Sequence, residues 1–167
     1  MVTDQTISTK TIWEILEQVT DPEVPVLSIL DLGIVRDIKI DNPILGDGGI
    51  EVIITPTYTG CPAMDMIAMN IRLALIEQGY SNIKISSVLA PAWTTDWMTE
   101  EGKRKLKEYG IAPPQYKSGH HPGSYDVPCP QCNSINTKLI SEFGSTACKS
   151  LYQCEDCKEP FDHFKCH

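Results

Sequence analysis

A chain of 167 residues with a formal net charge of −8 and an apolar fraction of 41% can hold one core of ordinary size plus a small module, and it is not a disordered chain. The acid excess argues against a nucleic-acid binder, which needs a basic face to release counterions. Residues 1–127 carry 10 basic and 17 acidic side chains and residues 128–167 carry 4 and 5, so neither part offers a basic stripe. No apolar run approaches the roughly 20 residues that cross a bilayer, and residues 1–9 lack the basic-then-apolar pattern of a secretory signal, so the expected setting is the cytoplasm, without membrane contact.

From Lys10 to Val19, Ile12, Trp13, Leu16 and Val19 recur at steps of three and four, which places them on one helical face. Thr9 or Thr11 could cap this helix. Two prolines in Asp21-Pro22-Glu23-Val24-Pro25 end it and make a stiff loop. Asp21 and Glu23 could face a site from that loop, or be solvated carboxylates past a helix end. After a turn at Ile29-Leu30-Asp31-Leu32-Gly33, residues 34–40 and 50–54 alternate as two strands, joined by hairpin punctuation at Asn42-Pro43 and Gly46-Asp47-Gly48-Gly49.

Thr55-Pro56-Thr57-Tyr58-Thr59-Gly60-Cys61-Pro62 is a tight loop between the second strand and a long apolar helix. Gly60 permits an unusual backbone angle and Pro62 suits a first helical turn, so Cys61 falls at a helix N-terminus, where unpaired amides and the helix dipole favour a negative charge. A cysteine so placed is a candidate nucleophile, metal ligand or redox group; the plain alternative is a small buried residue at a helix start. A thiol enzyme would need a base beside Cys61, and no histidine precedes residue 120.

In the helix itself, Met64, Ile67, Ala68, Ile71 and Leu75 make one stripe and Met66, Met69, Leu73 and Ile76 much of another. So apolar a helix is expected to be covered on more than one side, by the sheet and by a second subunit, with the methionines as core filler. Gly79 marks its end. Residues 83–89 alternate as a third strand. Trp93 and Trp97 bracket Asp96, either walling a site or closing the core edge, before a helix from Thr99 to Tyr109 that Gly110 and Pro113-Pro114 stop. Residues 115–127, rich in Pro, Gly, Ser and His, read as a linker; His120-His121 there are set aside as solvated.

Six of the seven cysteines lie after residue 128. Cys129-x-x-Cys132 and Cys154-x-x-Cys157, separated by 21 residues, have the spacing of a tetrahedral four-cysteine site, and a disulfide framework is the weaker explanation without a secretory signal. Zinc is the default ion and a single iron of the rubredoxin kind the alternative. Short strands are expected at Thr137–Ser141 and Ser150–Gln153. A ribbon of about 40 residues buries too little on its own, so the metal would supply folding energy. Spacing assigns no role to Cys148, His163, Cys166 or His167. Phe161 and Phe164 need cover, so the C-terminal segment is not a free tail.

The runs Asp21-Pro22-Glu23-Val24-Pro25, Asp31-Leu32-Gly33-Ile34-Val35 and Thr55-x-Thr57-x-x-Gly60-Cys61-Pro62 resemble the small domain of SufT-like and MIP18-type iron–sulfur assembly factors. Trp93-Thr94-Thr95-Asp96-Trp97-Met98, Thr146-Ala147-Cys148-Lys149 and the ending Phe164-Lys165-Cys166-His167 resemble the PaaD (PaaJ) family of phenylacetate-degradation accessory proteins, over nearly the whole chain. The resemblance implies an α+β protein. Its first part, residues 1–112, would be a small α/β sandwich with a mixed sheet (helix-strand-strand-helix-strand-helix). A linker at 113–127 and a zinc ribbon at 128–167 would follow.

The resemblance also implies an accessory factor that helps assemble the iron–sulfur cluster of the multicomponent oxygenase epoxidising phenylacetyl-CoA, acting on its reductase component. Cys61 would be the functional thiol or a transient ligand of iron or a cluster, with Asp21 and Glu23 in the signature loop near it and Thr57 in the same motif. One thiol holds a cluster poorly, so a homodimer or a complex with oxygenase components is implied. The competing expectation is a structural or regulatory oxygenase subunit, with Cys61 buried and the ribbon as a docking module.

Overall fold

Strand β2, Ile50–Ile54, is the centre of the first part of the chain: every second residue, Ile50, Val52 and Ile54, is at most 2% exposed. In this computed structural model, residues 8–41, 48–115 and 127–165 are described. The hairpin turn around Asn42-Pro43, most of the linker with His120 and His121, and the terminal Cys166 and His167 lie outside the described residues. The chain divides into two compact units, Met1–Trp93 and Thr94–His167.

In the first unit β2 pairs antiparallel with β1 (Val35–Ile40) and parallel with β3 (Ile83–Ser87), so the sheet is mixed, in the order β1-β2-β3. The parallel pair needs a crossover, and α2 (Ala63–Glu77) supplies it. Ala63, Ile67, Ile71 and Leu75 are buried and join Ile12 and Leu16 of α1 (Thr9–Leu16) and Ile50, Val52 and Ile54 of β2 in the core. The other face of the sheet is polar: Glu51 accepts from the Lys84 ammonium at 2.8 Å and the Ser86 hydroxyl at 2.6 Å. Helix α2 ends at Gly79 with φ +89°, and the Tyr80 N–H returns to the Leu75 carbonyl, a left-handed C-terminal cap.

Local chemistry differs from the sequence expectation in several places. Neither Thr9 nor Thr11 caps α1: Ser8 sits at the cap position and makes no side-chain bond. Strand β1 carries a bulge between Val35 and Asp37, so the buried residues are Val35 and Ile38 and the alternation from Ile34 is broken. Met66 and Met69 are each 54% exposed and do not fill the core.

The second unit opens with a 3₁₀ turn at Thr95–Trp97 and helix α3 (Glu100–Tyr109). The Thr99 hydroxyl accepts from the Gly102 N–H at the start, and Gly110 takes φ +91° at the end. Helix α3 falls in the same compact unit as the cysteine-rich part. The segment after α3 adds an edge to β6: the Ala112 N–H donates to the Asp162 carbonyl at 2.8 Å and the Phe164 N–H to the Ala112 carbonyl at 2.9 Å. Strands β4 (Thr137–Ser141), β5 (Lys149–Cys154) and β6 (Pro160–Phe164) form an antiparallel sheet in that order. Strand β6 gives Phe161 and Phe164 their cover, at 5% and 2% exposure.

Trp93 closes the first unit. Its indole N–H donates to the Leu32 carbonyl at 2.8 Å in a buried bond, joining the segment after β3 to the loop before β1. Trp93→Phe keeps an aromatic ring but orphans that carbonyl, so the variant is expected to lose roughly 1–3 kcal/mol. Urea unfolding checks this, and an unchanged midpoint would show that the bond is not an anchor.

Candidate functional site

The first candidate site lies where three segments meet. The polypeptide enters β1, leaves β2 and leaves β3 at the same end of the sheet, because β1 runs against the other two. Backbone bonds tie the segments there: the Thr55 N–H donates to the Ile34 carbonyl at 2.8 Å and the Val88 N–H to the Ile54 carbonyl at 2.9 Å. The carboxyl end of parallel strands is the usual place for ligands in α/β sheets. Cys61 is in the loop leaving β2, one residue before the Pro62 cap of α2. The Cys61 N–H bonds the Tyr58 carbonyl at 3.2 Å, its own carbonyl accepts the Met64 N–H at 3.3 Å, and Gly60 has φ +80°. A side chain at Gly60 would meet nothing within 4 Å, so the backbone angle alone asks for glycine. Cys61 is half-buried, a thiol reachable by a partner, while Thr57 in the same loop is half-buried and Thr59 and Gly60 are exposed.

Asp21 does a different task from the solvated carboxylate considered above. It is 8% exposed, and its Oδ1 accepts the N–H of Glu23 at 2.8 Å and of Val24 at 2.7 Å. Asp31 and Ser28 do the same reciprocally: the Ser28 N–H donates to Asp31 Oδ2 and the Asp31 N–H to the Ser28 hydroxyl, both at 3.0 Å. These carboxylates replace helix or sheet partners for loop amides; the signature loop is built by them. Glu23 is half-buried in that loop. Sequence reading missed Thr55: its hydroxyl is the buried side-chain polar atom without a hydrogen-bond partner among the described residues.

The second site is the thiol cluster of the ribbon. The sulfurs of Cys129, Cys132, Cys154 and Cys157 all lie within 4.8 Å of one another. Cys129 and Cys157 are 3.7 Å apart and Cys132 and Cys154 3.6 Å. Sulfurs at ~2.3 Å from one zinc in a tetrahedron stand about 3.8 Å apart, so the cradle fits the ion. It is the metal-type cluster among the described residues, and it excludes Cys148 and His163. Cys148 is buried beside the Thr146 hydroxyl at 3.0 Å.

The two halves of the cradle repeat one backbone design. The Cys129 N–H donates to the Ser134 carbonyl and the Cys154 N–H to the Glu159 carbonyl, each five residues on. The residue after each second cysteine, Asn133 or Lys158, has φ near +60° (60° and 65°). Asparagine tolerates that angle; lysine is strained there, and nothing in its residue type announced it. The Cys157 N–H points at Cys154 Sγ at 3.5 Å and, with burial opposing it, pulls that thiol down to about 7. Cys157 goes the other way, to about 12: the Glu159 N–H lowers it, but burial and the neighbouring cysteines outweigh that. Four thiolates cannot share this volume unless a cation balances them, which is how metal binding and folding become coupled.

Residues 113–165 match the family described as PaaD zinc beta ribbon domain, and residues 9–80 the family described as iron-sulfur cluster assembly protein. A protein of Escherichia coli strain K12 is 50% identical over 155 residues, 93% of this chain and 91% of its own length, and carries the provisional name of a subunit of 1,2-phenylacetyl-CoA epoxidase. The chain belongs to the PaaD family. This PaaD-family chain also resembles a Porphyromonas gingivalis protein named Fe-S protein maturation auxiliary factor, at 34% identity over 54% of this chain and 83% of that protein. Two solved structures share its fold. A domain of unknown function (DUF59) from Bacillus anthracis has TM-score 0.52 and 26% identity over 58% of this chain and 89% of that one. A conserved hypothetical protein from Thermotoga maritima has TM-score 0.51 and 27% identity over 61% and 96%. The α+β expectation, with a mixed sheet followed by a four-cysteine ribbon, agrees with these likenesses and with the thiol cluster.

Cys129→Ser removes one of the four clustered thiols, at a position 0% exposed. The variant is expected to lose stoichiometric zinc, with the second unit melting earlier; unchanged zinc by atomic absorption would refute the cradle. His163 offers a separate test. Burial, with the Lys165 charge, holds its imidazole neutral down to about 4, against ~6.5 when unfolded. Below pH 6.5 the unfolded chain takes up a proton that the folded one refuses. Stability is therefore lost as pH falls from 6.5 to about 4, by up to roughly 3 kcal/mol. His163→Phe should flatten this part of the stability profile in zinc-saturated protein, measured as wild type minus variant.

Proposed function

We propose that this protein is a cytoplasmic accessory factor for iron–sulfur cluster assembly or maturation. It would serve a phenylacetyl-CoA ring 1,2-epoxidase and act on the iron–sulfur reductase component of that oxygenase. The single observation that carries the reading is the position of Cys61: a half-buried thiol before α2, in the loop cluster at one end of the sheet, inside the part of the chain that matches the assembly family. A maturation auxiliary factor is similar to 54% of this chain.

In this reading Cys61 binds iron or a cluster edge as cargo. Thr57 lines the same loop, and Asp21, through the Glu23 and Val24 amides, keeps the signature loop in shape with Glu23 beside it. A cluster usually takes four ligands, so the remaining ones come from a second chain or from the recipient. The ribbon would hold zinc through Cys129, Cys132, Cys154 and Cys157 as a structural ion, since four thiols close the coordination sphere and leave no open position.

A second reading has one observation in its favour. The Escherichia coli relative is named as a subunit, so the chain could be a structural or regulatory oxygenase component without cluster chemistry.

Anaerobic iron, sulfide and zinc analysis of wild type and Cys61→Ala separates the two. A cluster carrier is expected to show about one zinc per chain in both proteins, with additional iron and sulfide in wild type alone. In cells, the Cys61→Ala variant should fold yet leave the reductase short of its cluster. Full cluster loading of the reductase in that strain would overturn the carrier role and favour the subunit reading.

A further inference from the structure

Helix α2 has two apolar faces, and among the described residues of its own unit the core covers one of them. Ala63, Ile67, Ile71 and Leu75 point into the core. Met66, Met69, Leu73 and Ile76 are 54%, 54%, 48% and 50% exposed. A surface helix normally carries polar residues on that side, and four large apolar residues in one line mark an interaction surface.

We propose that this outward face is a homodimer seam, occupied by α2 of a second copy of the chain. The spacing of 66, 69, 73 and 76 is three, four, three, the alternation by which two helices interlock side chains. The flanks identify the occupant. Asp65 and Arg72 run along one edge of the line and Asn70 and Glu77 along the other. Asp65, Arg72 and Glu77 are exposed, and none of them forms an ion pair within the chain among the described residues. Against a copy running parallel, Arg72 lies opposite the other Glu77. Against one running antiparallel, it lies opposite the other Asp65. Both directions bring opposite charges together and neither sets like charges face to face, so the edge is complementary to itself, as a two-fold interface requires. A membrane surface would ask for a lysine- and arginine-rich flank, and this flank has one arginine.

The seam is small. A stable interface takes about 800 Å² from each partner, more than four half-exposed side chains provide. The apolar line is the dry centre and the charged edges the rim, and the dimer dissociates in the micromolar range. The inference goes beyond the cargo role of Cys61 and holds for either reading of it.

Sedimentation equilibrium of the full chain, zinc-loaded and under reducing conditions, tests the seam. Wild type is expected to be dimeric at about 100 μM. Met69→Glu with Leu73→Glu should be monomeric there, with an unchanged circular dichroism spectrum, because both residues are half exposed in the folded chain. Arg72→Glu, which faces an acid in either direction, should raise the dimer dissociation constant about tenfold at low salt. Met69→Gln, gentler on the fold, should raise it in the same direction if the double variant fails to fold. Monomeric wild type at that concentration, or a dimer that survives the Met69 and Leu73 substitutions, overturns the proposal.

Discussion

The double pairing of β2 is the constraint on which the first unit depends. One strand bonds antiparallel to β1 and parallel to β3, and both relations have consequences. The antiparallel side brings the start of β1 to the end of β2. The parallel side forces a helical crossover and brings the end of β3 to the same place. The loops carrying Asp21 and Asp31, Cys61, and Trp93 all belong to connections at that end. Trp93 then fixes two of them together through Leu32. A site assembled from separated sequence runs thus needs no long-range polar network, since strand order does the gathering.

The second unit solves the opposite problem. Its sheet has little apolar mass: the buried cluster is Ala112, Val127, Cys129, Cys154 and Phe161, with Tyr152 packed against it. Two of those residues are metal-type thiols, so the ion site and the core are the same object. The aromatic ladder of Tyr152 between Phe161, stacked at 5.9 Å, and His163, edge-on at 5.6 Å, extends that core along β5 and β6. Burial there disfavours the charged form of His163. Ala112, brought in by the segment after α3, is fully buried there.

Residues that look catalytic in a motif can be architectural in the fold. Asp21 accepts two loop amides, and Asp31 trades bonds with Ser28. The acidic loop is thus held in shape by its own carboxylates, which accept from its backbone amides. The Thr55 hydroxyl, buried and without a partner among the described residues, stands at the start of the loop that bears Cys61, a polar atom whose burial is costly unless something meets it.

The sequence by itself determined the features that are local or arithmetic. Alternation marked β2 and β3, Gly79 and Gly110 marked helix ends, and the two Cys-x-x-Cys pairs specified the thiol cluster, because each depends on residues within a few positions or on ligand chemistry alone. Tertiary structure decided the rest. The bulge in β1 came from pairing to β2 and not from the residues 34–40 themselves. The edge that Ala112 adds to β6 depends on residues about fifty positions apart. The two stripes of α2 were equally apolar in the sequence. Only packing against the sheet buries Ile67, Ile71 and Leu75 and leaves Met66, Met69, Leu73 and Ile76 outside, because a helix can turn just one side to a single sheet.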